Sequence, residues 1–447
     1  MVNTYNYLKT AFQELKQENS RHPTLIFVIL ALLSIPLLYA ANSISLGLLV
    51  FITLLRFGVK QFRNDVVLLL PVFLYLLMVI SLIWTIDINE SILALSKELP
   101  LLLIPLCFLI FPVFSSYQKQ LILKYYSLGI LIFCVFYIVK ASVRYMATND
   151  PSVFFYHELV TKDVNAIHVS VYVTVAFYYF FTRNGKSVFE IAASAFLFVM
   201  VFVLASKNII VVFVGLMVLY YLFFSDTSKR IRLISLVVFF AFLFSLTVIP
   251  KIQERFKIEY DTMMNDSSVN EGISEGDAKV YNVSISQAWN KESFEPNDFF
   301  PGAAFRVYQL RIFTEMLRED NIFWTGYGLN ASYPKIEQKI ISDNLFLGNE
   351  KQSGYQKNNF HNQYIQNFAE LGIFGLLLLL AMLAINLKNA VFSKDFVHIS
   401  FAVLMISLFL TESFLWRQRG VTFFTVIYCL FNSGFTMMAP KKDNKTI

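Results

Sequence analysis

The chain of 447 residues is 56% hydrophobic and 17% aromatic, has only 15% charged residues, and carries a net charge of +6. Because a soluble globular domain usually carries about 25% charged residues, this composition excludes an ordinary water-soluble fold. The basic residues lie in short segments between apolar runs, which argues against a nucleic-acid-binding face. The three cysteines, Cys107, Cys134 and Cys429, lie within apolar runs, so we expect no disulfide framework and no thiolate metal site.

Apolar runs long enough to cross a bilayer recur along the chain. A hydrocarbon core of roughly 30 Å needs about 20 residues of helix. The sequence therefore predicts an all-α, polytopic membrane protein with about twelve transmembrane helices. The predicted spans are 24–41, 44–58, 66–84, 90–112, 120–146, 163–182, 187–205, 208–224, 231–250, 363–387, 396–415 and 420–438. The first two spans are short and joined at Ala41-Asn42-Ser43, so we expect either a tight hairpin there or tilted helices. We expect a break between helices at Ser206-Lys207-Asn208.

The connections between these spans differ in charge. Alternate connections are rich in Lys and Arg, and the opposite ones hold only Lys162, Lys207, Arg417 and Arg419. Because positive residues favour the cytoplasmic side, both termini are predicted to be cytoplasmic. The predicted organisation has helices one to nine in 1–250, a large outward-facing loop in 251–362, helices ten to twelve in 363–438, and a cytoplasmic tail in 439–447.

The large loop has two parts. Residues 258–301 are rich in Asp, Glu, Ser and Asn and predict an irregular loop. Residues 303–319 predict an amphipathic helix with five apolar anchors, Phe305, Ile312, Phe313, Met316 and Leu317. We expect this helix to lie along the membrane surface over the helical bundle.

Several cationic residues are placed toward the outer ends of the predicted spans. They include Lys97, Lys207 and Arg417, and the loop adds Arg306 and Arg311. Together they predict a basic cavity that opens outward and suits a diphosphate headgroup. The alternative is that each side chain merely reaches phospholipid headgroups. Arg311 has Glu315 four residues later, an ordinary ion pair on a helix, so Arg306 is the preferred phosphate ligand.

His361 stands at the outer start of the tenth span. Helix N-terminal amides disfavour a charged imidazolium, and a neutral imidazole beside a phosphate is the form needed for a general base. The alternative is an interfacial histidine at a helix end. Glu370 falls on roughly the opposite face of the helix, so we expect it to pair with a cation on another helix rather than with His361.

Motifs of other enzyme classes are missing. The outward segments contain no Asp-x-Asp pair for a metal, and the chain contains no Walker loop, Gly-x-Ser-x-Gly elbow or His-Glu-x-x-His. We therefore expect no metal and no cofactor. The energy for a reaction is expected to come from the substrate itself.

Three segments resemble those of the bacterial O-antigen ligase and O-antigen polymerase superfamily. The run HNQYIQNFAELGIFG follows a long loop and opens a transmembrane helix, as in that family. The segment FRVYQLRIFTEMLREDNIFWTGYGLN is similar to the loop pattern in which an Arg opens a helix that ends in a Gly-x-Gly turn. LASKNIIVV is similar to a third segment, with Lys207 where the family has Arg, a change that keeps the charge but loses bidentate phosphate geometry.

The resemblance implies a glycosyltransferase of the bacterial inner membrane. Its donor would be a glycan on undecaprenyl diphosphate, and its site would lie at the periplasmic face. A ligase transfers the glycan to lipid A–core, whereas a polymerase uses another carrier-linked unit. The single large loop just before the span of His361 favours the ligase, with the polymerase as the alternative that the sequence separates poorly from it. His361 and Arg306 are the predicted catalytic residues, and Lys207, Arg311, Asn362, Lys97 and Arg417 are the predicted substrate-binding residues. A flippase or transporter for lipid-linked sugars is the alternative from another class.

Overall fold

The computed structural model describes residues 2–37, 39–56, 62–161, 164–247, 260–270, 279–349 and 353–435. The protein is 73% helical, and within the described residues its strands are two-residue segments. The predicted tail 439–447 and the start of the predicted loop, 251–259, lie outside the described residues.

Every predicted span contains a helix. The helices of the first half are α1 (Val2–Arg21), α2 (Leu25–Leu33), α3 (Tyr39–Leu55), α4 (Val66–Ile80), α5 (Ile88–Glu98), α6 (Pro100–Ile110), α7 (Ser116–Thr148), α8 (Tyr156–Leu159) and α9 (Ala166–Phe181). They are followed by α10 (Val188–Val203), α11 (Lys207–Leu219), α12 (Lys229–Thr247), α13 (Ile285–Asn290), α14 (Gly302–Glu319), α15 (Tyr333–Ser342), α16 (Gln363–Ser393), α17 (Phe396–Leu408) and α18 (Gln418–Asn432).

Five helical stretches of the described chain are long and apolar enough to cross a membrane. They are Val66–Ile83, Ile88–Ile110, Ser116–Thr148, Lys207–Phe224 and Gln363–Ser393. Shorter apolar helices, among them α3, α9, α10 and α17, pack with them around one large apolar core. The predicted all-α polytopic membrane fold is confirmed.

The first two spans are joined differently from the prediction. The predicted turn at Ala41-Asn42-Ser43 is wrong, because these residues lie inside α3. The chain turns at Pro36 instead, since proline lacks an N–H and disfavours helix at the residue before it. The break at Ser206-Lys207-Asn208 is confirmed, because α10 ends at Val203 and α11 begins at Lys207.

Two spans are interrupted within the bundle. The predicted span 90–112 is divided at Pro100 into α5 and α6. Helix α16 is broken at Gly372, whose φ of 65° and ψ of −163° are not helical. Helical backbone groups freed by such a break must find other partners when water is excluded.

A segment of the large loop supplies those partners. The backbone N–H groups of Tyr327 and Gly328 donate to the carbonyls of Ala369 and Glu370, at 2.8 and 2.9 Å. A Cβ on Gly326 would lie 2.3 Å from the Glu370 backbone, so only glycine permits this approach. The Gly-x-Gly turn is therefore inserted beside the broken helix α16, and the loop is anchored inside the bundle.

The rest of the loop forms a second apolar core. The strands Ser268–Val269, Tyr281–Asn282 and Asp298–Phe299 make a small sheet in that order, with an antiparallel pair followed by a parallel pair. The amphipathic helix is confirmed as α14. Its predicted position on the membrane surface is wrong, because Ile312, Phe313 and Met316 are buried in the loop core. This core holds α14 against the start of α16, where Phe313 contacts Phe368 with ring centroids 5.5 Å apart.

Candidate functional site

His361 immediately precedes α16 and has a special backbone conformation. Its φ is 45°, in the left-handed region that costs a non-glycine residue about 1–2 kcal/mol. Its N–H donates to Asn359 Oδ1 at 2.9 Å. Next to it, Asn362 Oδ1 accepts from the backbone N–H groups of Tyr364 and Ile365, at 3.0 and 3.1 Å. Asn362 thus caps the helix, and the predicted position of His361 at a helix start is confirmed.

The imidazole of His361 faces Glu412, in the turn after α17. His361 Nδ1 lies 3.5 Å from Glu412 Oε2, and the two side chains are 31% and 9% exposed. The other carboxylate oxygen of Glu412, Oε1, accepts a hydrogen bond from Asn165 Nδ2 at 3.5 Å. The partner of His361 is therefore a carboxylate on a neighbouring helix connection, which sequence analysis missed.

The charge state of Glu412 is controlled by its surroundings. Burial alone would raise the pKa of its carboxyl group. The contact with the imidazole of His361, with a smaller contribution from the guanidinium of Arg306, outweighs burial and lowers the pKa below its usual value. Glu412 is therefore held as a carboxylate beside the imidazole.

The turn that contains Glu412 is attached to the start of α16 by hydrogen bonds. The N–H of Gln363 donates to the carbonyl of Phe409 at 2.8 Å, and its side-chain Oε1 accepts from the N–H of Leu415 at 2.7 Å. Asn362 Nδ2 donates to the carbonyl of Leu410 at 3.2 Å. These bonds on either side of Glu412 keep the carboxylate and His361 in a constant relative position.

Arg306 reaches the same turn from the loop. Its Nε and Nη2 donate to the carbonyl of Thr411 at 3.1 and 3.0 Å, and its Nη1 donates to the carbonyl of Gly302 at 3.0 Å. A guanidinium carries five N–H groups, so donors remain for an anion after these three bonds. The structure thus brings the predicted Arg306 beside Glu412 and His361.

Lys207 is brought to this region by its neighbour Asn208. Asn208 Nδ2 donates to Thr411 Oγ1 at 2.7 Å and to the carbonyl of Ser407 at 2.9 Å. The N-terminus of α11 and the guanidinium of Arg306 therefore meet at Thr411. Lys207, the residue before Asn208, therefore lies near the turn that holds Glu412.

Arg311 is placed differently. Its Nε donates to Glu315 Oε1 at 2.8 Å, which confirms the predicted ion pair, and its Nη2 lies 3.4 Å from Asp343 Oδ2. It also donates to the carbonyl of Lys291. None of these contacts in the described chain is with His361, Glu412 or Arg306. They tie α14 to the rest of the loop core.

Lys97 and Arg417 line a cavity of their own. Its walls are Tyr39, Lys97, Trp416, Arg417 and Gln418, and its volume is about 350 Å3. Lys97 Nζ lies 5.0 Å from the centre of the Trp416 ring. His361, Arg306 and Lys207 are not among the lining residues of this cavity, so the structure separates the predicted cationic residues into two groups.

The predicted cation partner of Glu370 is not found. Within the described residues, Glu370 accepts a hydrogen bond from Gln366 Nε2 and one from the backbone N–H of Asn330. It lines a cavity of about 20 Å3 together with Glu98 and Lys97. The expectation of an ion pair is wrong because polar groups of its own helix and of the inserted loop segment satisfy the carboxylate instead.

Sequence analysis missed the roles of Glu412, Gln363 and Thr411. Glu412 lies near the end of the predicted span 396–415, and a carboxylate at membrane depth needs a partner. That signal marks the residue without saying which partner it has. Within the described residues, no group of three or more His, Cys, Asp or Glu side chains is arranged to hold a metal ion.

Fold and site together define a polytopic membrane protein whose cationic site is built where a large loop meets the helix ends. Residues 192–380 match the model of the family described as O-Antigen ligase (Wzy_C). The match confirms the resemblance of this part of the chain to the O-antigen ligase and polymerase superfamily. The family is one of glycosyltransferase-like enzymes and implies lipid-linked glycan substrates. No curated protein matches the chain.

Proposed function

We propose that the protein is an O-antigen ligase-type glycosyltransferase. It transfers a glycan from undecaprenyl diphosphate to a hydroxyl of lipid A–core at the periplasmic face of the bacterial inner membrane. In this proposal both termini are cytoplasmic and residues 251–362 are periplasmic. The observation that carries the proposal is the contact of His361 with the buried carboxylate of Glu412, beside the guanidinium of Arg306.

His361 acts as the general base. With Nδ1 facing the Glu412 carboxylate, the favoured tautomer carries its proton on Nδ1 and leaves the lone pair of Nε2 free. The acceptor hydroxyl gives its proton to Nε2 as its oxygen bonds to the anomeric carbon. The bond between that carbon and the diphosphate oxygen breaks, and its electron pair leaves with the diphosphate. Direct displacement inverts the configuration at the anomeric carbon.

Arg306 and Lys207 stabilise the departing diphosphate. Charge grows on the leaving oxygens as the glycosidic bond breaks, and cations held in place before the reaction lower the energy of that state. Arg306 is held by three bonds to backbone carbonyls and keeps further donors for the phosphate. We propose that these side chains do the work without a metal ion.

A polymerase of the same superfamily uses the same chemistry with a carrier-linked repeat unit as acceptor. The test uses a bacterial host that lacks its own surface-glycan ligase and polymerase and expresses wild-type protein, His361→Asn or His361→Ala. Lipopolysaccharide and carrier-linked glycans are then examined by gel electrophoresis and mass spectrometry.

The ligase proposal predicts glycan attached to lipid A–core with wild type and none with either variant at equal expression. Longer carrier-linked glycan without attachment identifies a polymerase. No new covalent glycan with wild type contradicts both enzymes and favours a transporter.

A further inference from the structure

The cavity at Lys97 and Arg417 has the composition of an anion-binding site. Neither side chain makes a hydrogen bond or ion pair within the described chain, and Lys97 Nζ lies over the face of Trp416 beside the smaller cavity that contains Glu98 and Glu370. None of the five residues that line the cavity is acidic. Its volume of about 350 Å3 lies in the range of roughly 300–1,000 Å3 that ligand pockets occupy. Two cations that line a pocket of this size, without an acidic residue in its wall, favour a phosphate-bearing ligand.

This cavity is separate from the site at His361 but close to it. His361, Arg306 and Glu412 are not among its lining residues. The chain between Glu412 and Arg417 can span at most about 17 Å, and it contains the buried residues Phe414 and Leu415. Two anionic groups bound at the two positions are therefore near enough for groups attached to them to react.

The surroundings of the cavity favour a sugar and a lipid. The rings of Tyr39 and Trp416 provide flat, rigid walls with polar ends, as at membrane interfaces and in sites for polar ligands. On α3, which begins at Tyr39, Ile44, Leu48 and Phe51 are exposed. The helix whose first residue lines the cavity therefore has an exposed apolar face that is suited to contact acyl chains.

We propose that this cavity binds the phosphorylated saccharide headgroup of a second, lipid-anchored substrate, the acceptor. The proposal rests on the proposed function and assigns the two cationic positions to two substrates. The diphosphate of the donor binds at Arg306 and Lys207, and a phosphate of the acceptor binds between Lys97 and Arg417. His361 lies where the two substrates meet.

The experiment measures binding to the purified full-length protein in phosphatidylcholine nanodiscs. The probes are bisphosphorylated lipid A, the same lipid after removal of its phosphates, and phosphatidylglycerol. The variants are Lys97→Met/Arg417→Met, which keeps side-chain length, and Lys97→Arg/Arg417→Lys, which keeps charge. Arg144→Met is the matched control, because Arg144 pairs with Glu158 and is not a lining residue of this cavity.

We expect wild type and Arg144→Met to bind phosphorylated lipid A at least ten-fold more tightly than the dephosphorylated lipid, since hydrogen bonds between charged groups are stronger than those between neutral ones. The Met variant should lose this preference and the charge-keeping variant should retain most of it. Equal binding of both lipids, unchanged binding by the Met variant, or equal competition by phosphatidylglycerol would overturn the proposal.

The host assay separates this inference from the proposed function. If wild type transfers no glycan, the proposed function fails. If wild type transfers glycan while the Met variant binds lipid A as wild type does, only the assignment of the acceptor to this cavity fails. Folding of each variant is checked by its melting temperature, and the charge-keeping variant provides the comparison if the Met variant does not fold.

Discussion

His361 and Glu412 face each other across the junction of α16 and the turn after α17, with Nδ1 and Oε2 3.5 Å apart. The Glu412 carboxylate is nearly buried. Gln363, at the start of α16, accepts a hydrogen bond from the turn that contains Glu412 and so holds this turn against the helix. A carboxylate in this position orients the imidazole and stabilises the imidazolium that forms when the ring takes a proton. The site therefore contains a candidate base, His361, and a carboxylate that orients it, Glu412, although the two residues lie on different helix connections.

Glu412→Gln should slow glycan transfer about 100-fold, because the amide no longer stabilises the imidazolium and general base catalysis contributes roughly 10²–10⁴-fold. The KM for the donor should change little. Glu412→Asp should recover part of the rate, since it keeps the charge. Steady-state kinetics in detergent or nanodiscs provides the measurement. Glu158→Gln is the control, because Glu158 is an exposed carboxylate paired with Arg144. A wild-type rate for Glu412→Gln would contradict the orienting role.

Arg306→Lys should bind the donor about ten-fold more weakly than wild type, and Arg306→Ala more weakly still. A lysine cannot reproduce the paired bonds of Nε and Nη2 to the Thr411 carbonyl, so its charge is not held in place. Titration with a lipid diphosphate measures the effect. Arg318→Lys, on an exposed position of the same helix, should bind as wild type. Equal affinities for wild type and Arg306→Ala would exclude Arg306 as a diphosphate ligand.

Gly326→Ala should destabilise the protein, by about 1–3 kcal/mol from the backbone strain alone. Gly326 has a φ of 67°, and the added Cβ would lie 2.3 Å from the backbone of Glu370. The loop segment would then have to leave the broken helix α16. Gly47→Ala, with nothing within 4 Å of the added Cβ, should leave the melting temperature unchanged or raise it. Equal melting temperatures for the two variants would show that the inserted segment contributes little to stability.

The loop core should lose stability in acid. Burial alone raises the pKa of Glu315 and of Asp320, but bonds from Arg311 and Lys339 to Glu315, and from Tyr327 and Lys335 to Asp320, lower both below their usual values. Carboxyl groups with lowered pKa stabilise the folded state above their unfolded pKa, and this contribution disappears as the pH falls through the folded pKa.

Melting temperatures measured from pH 7 to pH 3 should therefore fall at the acid end. The Glu315→Gln variant should have a lower melting temperature than wild type at pH 7, and its melting temperature should fall less between pH 7 and pH 3. Asp343 acts in the opposite direction, because burial raises its pKa and protonation relieves that cost. A pH-independent melting temperature for wild type, or an unchanged decline for Glu315→Gln, would refute the assignment to these pairs.

Hydropathy and charge were sufficient to predict the helices, and the position of His361 followed from a motif at a helix start. Arg306 was preferred over Arg311 because Glu315 lies one turn after Arg311, and the structure shows that ion pair. Glu412 could not be predicted as the partner of His361, because a hydropathy pattern places helix ends on one side of a membrane without saying which ends touch.

The insertion of Gly326–Gly328 beside Gly372 could not be predicted from the sequence either. It depends on a break in α16 that apolar periodicity does not reveal, since the residues on both sides of Gly372 are as helix-prone as the rest of the span. The prediction that Glu370 pairs with a cation was wrong because of the same insertion. The loop segment that donates a hydrogen bond to Glu370 comes from a part of the chain that the sequence predicted to lie outside the bundle.

The measurement that tests the central claim most directly is transfer by purified protein from an undecaprenyl diphosphate glycan of known anomeric configuration. Wild type, His361→Asn and Glu412→Gln are compared, and the product linkage is determined by NMR. Asparagine tolerates the left-handed backbone of His361, so His361→Asn should fold as wild type does. The account predicts an inverted linkage with wild type and no detectable transfer with His361→Asn at equal melting temperature. A retained linkage, or transfer by His361→Asn at the wild-type rate, would contradict it.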